Sequence, residues 1–452
     1  MKVVDEIIKN FGKSLTSLSD AILKQERNKK VAVVCVPQKF PGSMFMERET
    51  QMALLDALLF KPKNLKLKRN LIVTVAASGM GKSAFVDEYC RRRLLYLTRG
   101  DNKSSGIIHP IAFTYNTNTF GGPVGDNDAV DLAARLLMSY FAENPNELLL
   151  EDIYDSLLDA NLKLGKSILQ VVIKCIKDDI RIHSNVAKPK ILIACDEVGK
   201  SRVEQQVVGL LCSLIDDDDD LECFFTGLSL NPFSKETLSG RSIKDVPLPL
   251  LSFKSSLGLV QSFVAGSQSV PVSSKFARLS GGHPRTIQAF EAVVKNNESW
   301  YKEQLDDNKV ETVVDSTIAM VDRYLGEVEI ILLLRPRTAI SEIAKNEDLI
   351  KALGEGRLYA TIDSDSDYVE LFASPMLLRG SLLRLKRQEG HGNGLVDIVN
   401  ELLALAGVQD LREFRIANAQ QQQGKIFENF FLRVEMLRRG FQCSQLKKAN
   451  IL

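Results

Sequence analysis

Cysteine is sparse and unpatterned in this chain of 452 residues. The seven, Cys35, Cys90, Cys175, Cys195, Cys212, Cys223 and Cys443, are odd in number, scattered, and free of any Cys-x-x-Cys spacing. Most lie among apolar neighbours, which argues against a disulfide framework or a zinc site and points to a reducing compartment. The four histidines have no partner at ligand spacing, which argues against a metal cage. An excess of one charge is also missing. At a net charge of +1, no global basic field draws the chain to nucleic acid, although a local basic face could still do so. Long apolar runs are absent too. "IILLL" (Ile330–Leu334) falls far short of the roughly 18 residues a membrane-spanning helix takes, so a soluble protein without a membrane partner is expected. Residues 1–30 lack the unbroken apolar centre of a signal peptide. Instead Ile7, Ile8, Phe11, Leu15, Leu18, Ile22 and Leu23 recur at helical spacing, which predicts an amphipathic helix.

What is present is an alternation of apolar strands and helices. "LIVTVA" (Leu71–Ala76), "GIIHPIAFTYN" (Gly106–Asn116), "PKILIACDE" (Pro189–Glu197), "LECFFTGLSL" (Leu221–Leu230) and "VPLPLLSF" (Val246–Phe253) read as buried strands. Helical spacing runs through Ser43–Phe60, about Ser83–Tyr96, most of Asn127–Lys188, and Glu204–Ile215. Such alternation implies a parallel sheet covered on both faces, an α/β core over residues 31–254. Residues 255–325 are helical, broken by the polar loop "GSQSVPVSS", and suggest a lid. Residues 326–400 read as helices followed by an alternating hairpin, "GRLYATIDSDSDYVELFASP", the pattern of a winged helix-turn-helix. A glutamine run, Gln420–Gln423, lies in a last helical segment, residues 401–452. The acid run Asp216–Asp220 reads as a solvated loop.

The stretch "LIVTVAASGMGKSAF" carries the chemistry. A phosphate cradle needs a strand, a loop offering backbone N–H groups, a helix start, a lysine for the outer phosphates and a hydroxyl for Mg²⁺. Here the strand runs into Ser78, Gly79, Met80 and Gly81, and Lys82, Ser83 and Ala84 open the helix. The full pattern has glycine at position 76, where this chain has Ala76, a small residue that still lets the chain turn. A second element supports the first. "ILIACDE" ends a strand on Asp196, placed to hold Mg²⁺ with Ser83, and on Glu197, placed to orient or deprotonate water. The strand between them in the sequence, Ile107–Tyr115, suggests an arrangement in which an extra strand separates the two motif strands. At the end of the next strand, Thr226 or Ser229 could touch a γ-phosphate or the attacking water; equally, the hydroxyl could satisfy its own backbone. In "FARLSGGHPRTIQAF", Gly281 and Gly282 form a turn and a helix begins near Pro284, which sets His283 or Arg285 to meet phosphate from a lid. Together these predict an ATPase using Mg²⁺. A nucleotide-binding scaffold without turnover is the alternative, and a P-loop kinase fits less well. Lys82→Ala is expected to remove nucleotide binding and leave the fold, as the loss of a loop charge.

These elements in this order resemble the signal-transducing branch of P-loop ATPases, close to AAA-type ATPases. "MFMERETQMALLDALL" is similar to the helix that precedes the cradle in such proteins, which implies that Arg48 lies near the nucleotide. "GMGKSAFVDE", "ILIACDEVGKSR", "FTGLS", "VPLPLLSF", "LSGGHPR" and "GKIFENFFLRVEMLR" together resemble the Crinkler effectors and the retrotransposon-hot-spot proteins of trypanosomes. That resemblance implies an ATPase, a winged helix and often a restriction-type nuclease, acting in a nucleus, with DNA, a protein or further copies of the chain as partners. Here the nuclease pattern is incomplete. Glu428 or Glu435 could supply a helix carboxylate, but no acid follows Glu435, so nuclease activity is not expected from this chain. An effector's export header is likewise missing from Met1–Lys30, and the apolar stripe Phe427, Phe430, Phe431 and Val434 reads as core packing. "LLRGSLLRLKRQ" groups Arg379, Arg384, Lys386 and Arg387 on or near one helix, which could meet DNA phosphates or lie as a surface helix.

Overall fold

A computed structural model describes residues 47–59, 69–76, 78–98, 108–115, 127–141, 150–159, 166–184, 186–201, 204–228, 241–264, 270–296, 307–321 and, in short stretches, 324–384. The expected N-terminal helix, the glutamine run, the last helical segment and Ser229 lie outside the described residues. The described residues fall into two bodies, one within Met1–Ala76 and Gly81–Leu248, the other within Ala77–Met80 and Pro249–Leu452.

In the first body the elements run α1 (Glu49–Leu59), β1 (Leu71–Val75), α2 (Lys82–Thr98), β2 (Ile108–Thr114), α3 (Asp128–Phe141), α4 (Leu150–Asp159), α5 (Lys166–Ser184), β3 (Lys190–Asp196), α6 (Glu204–Asp217), β4 (Leu221–Gly227) and β5 (Ile243–Asp245). The five strands are parallel, in the spatial order β2-β3-β4-β1-β5. Successive strand residues face opposite sides, so each continuous apolar run feeds two cores. On one side Leu71, Val73, Phe113, Ile193 and Phe225 pack with α3, α4, α5 and α6. On the other, Ile72, Ala112, Leu192 and Phe224 pack with α1 and α2, and Phe85 meets Phe224 edge-on with ring centres 6.0 Å apart.

A strand does separate the two motif strands β1 and β3, but it is β4. The segment Ile107–Tyr115 supplies β2 instead, on the far side of β3. The expected strand over Val246–Phe253 is displaced: pairing covers Ile243–Asp245 and ends at Val246, whose N–H donates to the Val73 carbonyl at 2.8 Å. Pro247 and Pro249 have no N–H to continue the ladder. Val246, Leu248 and Leu251 are nonetheless buried, which explains the strand-like alternation.

The acid run Asp216–Asp220 is not simply solvated. Asp216 pairs with Arg241, and Asp217 accepts from Gln170 Nε2 at 3.1 Å. Lys177 Nζ lies 2.7 Å from both Asp218 oxygens and 3.8 Å from Asp220, and Arg69 meets Asp219 at 2.5 Å. Asp216 and Asp217 end α6, where the helix dipole disfavours negative charge. Cations gathered from α5 and from the lead-ins to β1 and β5 offset it.

The second body carries α7 (Phe253–Phe263), α8 (Val270–Ser280), α9 (Pro284–Lys295) and α10 (Asp307–Val321). Ser252 caps α7 by accepting the Ser255 N–H at 3.2 Å. The polar loop expected over Gly266–Ser274 is shorter than its composition suggests, because α8 begins at Val270 with Pro271 in its first turn, where the missing N–H costs nothing. Gly281 and Gly282 (φ 58° and 77°) turn the chain into α9, which starts on Pro284, and Phe276 stacks on Phe290 at 4.7 Å. Beyond them lie β6 (Thr338–Ala339), α11 (Ile340–Ile343), α12 (Glu347–Gly354), β7 (Tyr359–Ile362) and β8 (Tyr368–Phe372). These strands form an antiparallel sheet ordered β6-β8-β7, packed around Leu325, Leu349, Ala352, Leu358 and Leu371. Among the described residues no helix is long and apolar enough to cross a membrane.

Candidate functional site

In an open parallel sheet, polar groups gather beyond the carboxyl ends of the strands where the strand order reverses. Here the chain leaves β1 towards β2 on one side and returns to β5 on the other. Ala76, at the end of β1, still donates its N–H to the Gly227 carbonyl at 3.2 Å. That is ordinary extended pairing, and alanine suits it as well as glycine. Gly79 and Gly81 then take φ of 86° and 89°, which only glycine adopts cheaply. α2 opens with Lys82, Ser83 and Ala84, so the first N–H groups, which have no intrahelical partner, and the positive dipole end lie directly after the loop.

Within the first body, Lys82 is buried. Its Nζ donates to the Ala76 carbonyl at 2.8 Å and lies 3.3 Å from Glu197 Oε1. Asp196, at the end of β3, is wholly buried and accepts three hydroxyls: Ser83 at 2.7 Å, Thr226 at 2.6 Å and Thr114 at 3.0 Å. Burial pushes its carboxyl above the ordinary range, and the neighbouring Glu197 charge adds to this. The Thr226 and Ser83 hydroxyls and the Lys82 charge work against the shift. Glu197 is in the left-handed conformation (φ 54°, ψ 43°), and its N–H donates to Thr226 Oγ1 at 3.0 Å.

Thr226 bridges the two acids. Its hydroxyl proton goes to Asp196 and its lone pair takes the Glu197 N–H, so it orients both acids. Thr114 went unnoticed in the sequence. It stands opposite Asp196 in the β2–β3 register, and its strand end is held by Arg135, which donates to the Thr114 carbonyl at 2.9 Å, pairs with Asp131 at 3.0 Å and lies 4.3 Å over the Tyr115 ring. Arg48 is buried just before α1, where its guanidinium donates to the Glu47 carbonyl at 3.3 Å.

Within the second body, the loop tip meets the start of α9. Arg285 donates from Nη1 to Ser78 Oγ at 3.2 Å and from its backbone N–H to the Gly79 carbonyl at 3.3 Å. His283 is buried, with Nε2 3.1 Å from the Ser78 carbonyl and Nδ1 3.0 Å from Thr286 Oγ1. Met80 is buried beside them in the sequence. Arg285 and His283 are therefore brought to the loop tip.

No protein-family model matches the sequence, and no curated protein does. Among solved structures, the chain is similar to the Orc1 protein of Aeropyrum pernix, solved in complex with DNA, at 11% identity over 76% of this chain and 93% of that one, with a TM-score of 0.39. It is also similar to the Walker-type ATPase PABY2304 of Pyrococcus abyssi at 14% identity, 74% and 95% coverage and a TM-score of 0.41. The RuvB Holliday junction branch migration motor of Thermotoga maritima matches at 14% identity, 70% and 90% coverage and a TM-score of 0.37. None of these likenesses is close enough to lend this chain a function.

Proposed function

We propose that this chain binds ATP with Mg²⁺ at the loop 78–83 and hydrolyses it, acting as a nucleotide-dependent switch. One observation carries this: Lys82, Ser83, Asp196, Glu197 and Thr226 converge, mostly buried, at the carboxyl ends of neighbouring strands and the start of one helix. Two glycines at positive φ and a helix start whose first N–H groups have no intrahelical partner suit a phosphate chain, and a buried carboxylate beside a serine hydroxyl suits Mg²⁺. Bound Mg²⁺ would neutralise phosphate charge during transfer.

The chain's own residues divide the work. Backbone N–H groups from Ser78 to Ala84 hold phosphate oxygens, and Lys82 reaches the outermost. Asp196 and Ser83 would hold the metal, with Thr114 and Thr226 fixing the carboxylate. Glu197 leaves Lys82 once phosphate competes for it and orients or deprotonates the attacking water. Arg285 moves from Ser78 to phosphate charge. Arg48 is proposed as a neighbour of the nucleotide on family resemblance alone. The helices and hairpin over residues 338–372 support a winged helix that contacts DNA, a protein or a second copy of the chain. The finer likeness to Crinkler and retrotransposon-hot-spot proteins, and with it a nuclear setting, rests on the quoted motifs, the last of which lies outside the described residues.

Calorimetric titration with ATP, GTP and ADP in Mg²⁺, with phosphate release followed for the unmodified protein and Glu197→Gln, tests this. Binding in both, with release at least ~10²-fold lower in the variant, is expected. No binding of any nucleotide would end the proposal. Binding with equal release in both would leave only a scaffold.

A further inference from the structure

We infer that His283 is a positioning residue: a buried imidazole that holds the tip of the phosphate loop by the Ser78 carbonyl, so that the turn before α9 sets the shape of that tip, Ser78 and Gly79. This rests on the nucleotide reading only for its consequence; the latch itself stands on contacts within the second body.

A carbonyl oxygen only accepts, so the 3.1 Å contact places a proton on His283 Nε2. In the neutral ring Nδ1 is then an acceptor, and Thr286 Oγ1, 3.0 Å away, is its donor. Thr286 lies in the first turn of α9 and is itself buried, so the tautomer is fixed by the helix that follows. Both ring nitrogens are thus committed to protein partners, and the ring grips backbone rather than reaching out for phosphate.

The fit around this contact is tight. A Cβ on Gly79 would lie 2.8 Å from His283 Cε1, 2.9 Å from Nε2 and 2.8 Å from the Arg285 Cβ. Gly79 is therefore needed for the ring's approach as well as for its own φ. Behind the ring, a Cβ on Gly282 would lie 2.2 Å from the Leu251 carbonyl oxygen, and Leu251 N–H donates to the Gly282 carbonyl at 2.9 Å. The turn is pinned against the lead-in to α7 and cannot drift away from the loop without breaking these contacts. Arg285, two residues on, docks its side chain on Ser78 Oγ. Its guanidinium holds a side chain, whereas the His283 ring, like the Arg285 backbone N–H on the Gly79 carbonyl, holds loop backbone, so the guanidinium can leave while these contacts keep the loop in place.

The test compares His283→Leu, His283→Gln and Thr286→Val. Glutamine places an N–H donor near the position of Nε2; leucine removes it. Amide exchange across the loop 78–84 in nucleotide-free protein is the first readout, and ATP titration the second. One net hydrogen bond corresponds to about a three- to tenfold change. Loop exchange is expected to quicken by about that factor in His283→Leu, less in Thr286→Val, and to return towards the original in His283→Gln, with sheet amides unchanged in all three. ATP affinity should follow the same order. Unchanged loop exchange in folded Thr286→Val and His283→Leu, or a glutamine variant no better than leucine, overturns the latch. If the unmodified protein binds no ATP, the nucleotide reading fails, and the exchange data still judge the latch.

Discussion

Replacing Lys82 by alanine should destabilise the nucleotide-free protein. On sequence alone it is a charge on a loop, and its removal should leave the fold intact. In the structure its side chain is 2% exposed and faces a Glu197 side chain 10% exposed at 3.3 Å. At an effective dielectric constant near 20, charges at that separation attract by about 5 kcal/mol, and removing one partner of a buried pair typically costs about 3–5 kcal/mol. The lost bond to the Ala76 carbonyl adds about 1 kcal/mol. Glu197 retains some water, which favours the lower end, so a net cost of about 3 kcal/mol is expected, or about 6–12 °C in melting temperature for a body of this size. Thermal unfolding of unmodified protein, Lys82→Ala, Glu197→Gln and the double variant, all without nucleotide, measures it. The double variant should lose less than the two single losses added together, because the second change removes the charge the first left without its partner. With ATP present, the stabilisation that ligand binding confers on the unmodified protein should vanish in Lys82→Ala. A lysine variant melting within about 1 °C of the original would show that the ion pair contributes nothing, and would refute the reasoning.

Gly282→Ala should cost more than Gly81→Ala. Both residues have positive φ, but an added Cβ meets the Leu251 carbonyl at 2.2 Å in the first case and nothing within 4 Å in the second. Denaturant unfolding should give about 1–2 kcal/mol for Gly81→Ala and a clearly larger loss for Gly282→Ala. His109 in β2 has its pKa lowered from 6.5 to about 4 by burial. As pH falls through 6.5 the unfolded chain takes up a proton that the folded imidazole refuses until about 4, so stability should fall across that window. Unfolding midpoints at several pH values should show the decline, and His109→Gln should flatten it.

The first body was legible where a strand's two faces are both buried. β3 reads as an unbroken apolar run, Ile191–Cys195, ending on Asp196, while β1 and β4 are apolar runs each interrupted by one polar residue, Thr74 and Glu222, and the helix starting at Lys82 followed from the glycines before it. Lateral order was not legible, because the strand that separates β1 from β3 comes last of the four in the chain. β5 was misplaced because burial alternates through Val246 and Leu248 although the prolines there cannot pair. Thr114 gave no signal, since a threonine ending a strand is ordinary. Arg135 did give one that was missed. In "AVDLAARLLMSYF", Asp131 and Arg135 are the only charges, four apart and surrounded by apolar residues, and a pair so placed on a helix must be buried together.

Glu197 shows why local propensity fails at this point in the chain. A non-glycine residue at φ 54° costs about 1–2 kcal/mol relative to glycine. If the turn after β3 required only that backbone shape, glycine would supply it without the penalty. Three features hold the shape: the Glu197 N–H on Thr226 Oγ1, the carboxylate beside Lys82, and the short 3₁₀ turn Val198–Lys200 that follows. Two of these three use Glu197's own polar groups, and one engages the carboxylate itself. The strain is therefore tied to where that carboxylate points, beside the loop lysine and one residue beyond Asp196. Strain kept at a site, with a side chain that glycine lacks, marks that side chain as the part the fold preserves. Glu197→Gly should accordingly relieve the backbone yet lose the link to Lys82. If it proved more stable than the original while phosphate release collapsed, the two effects would be separated in a single variant.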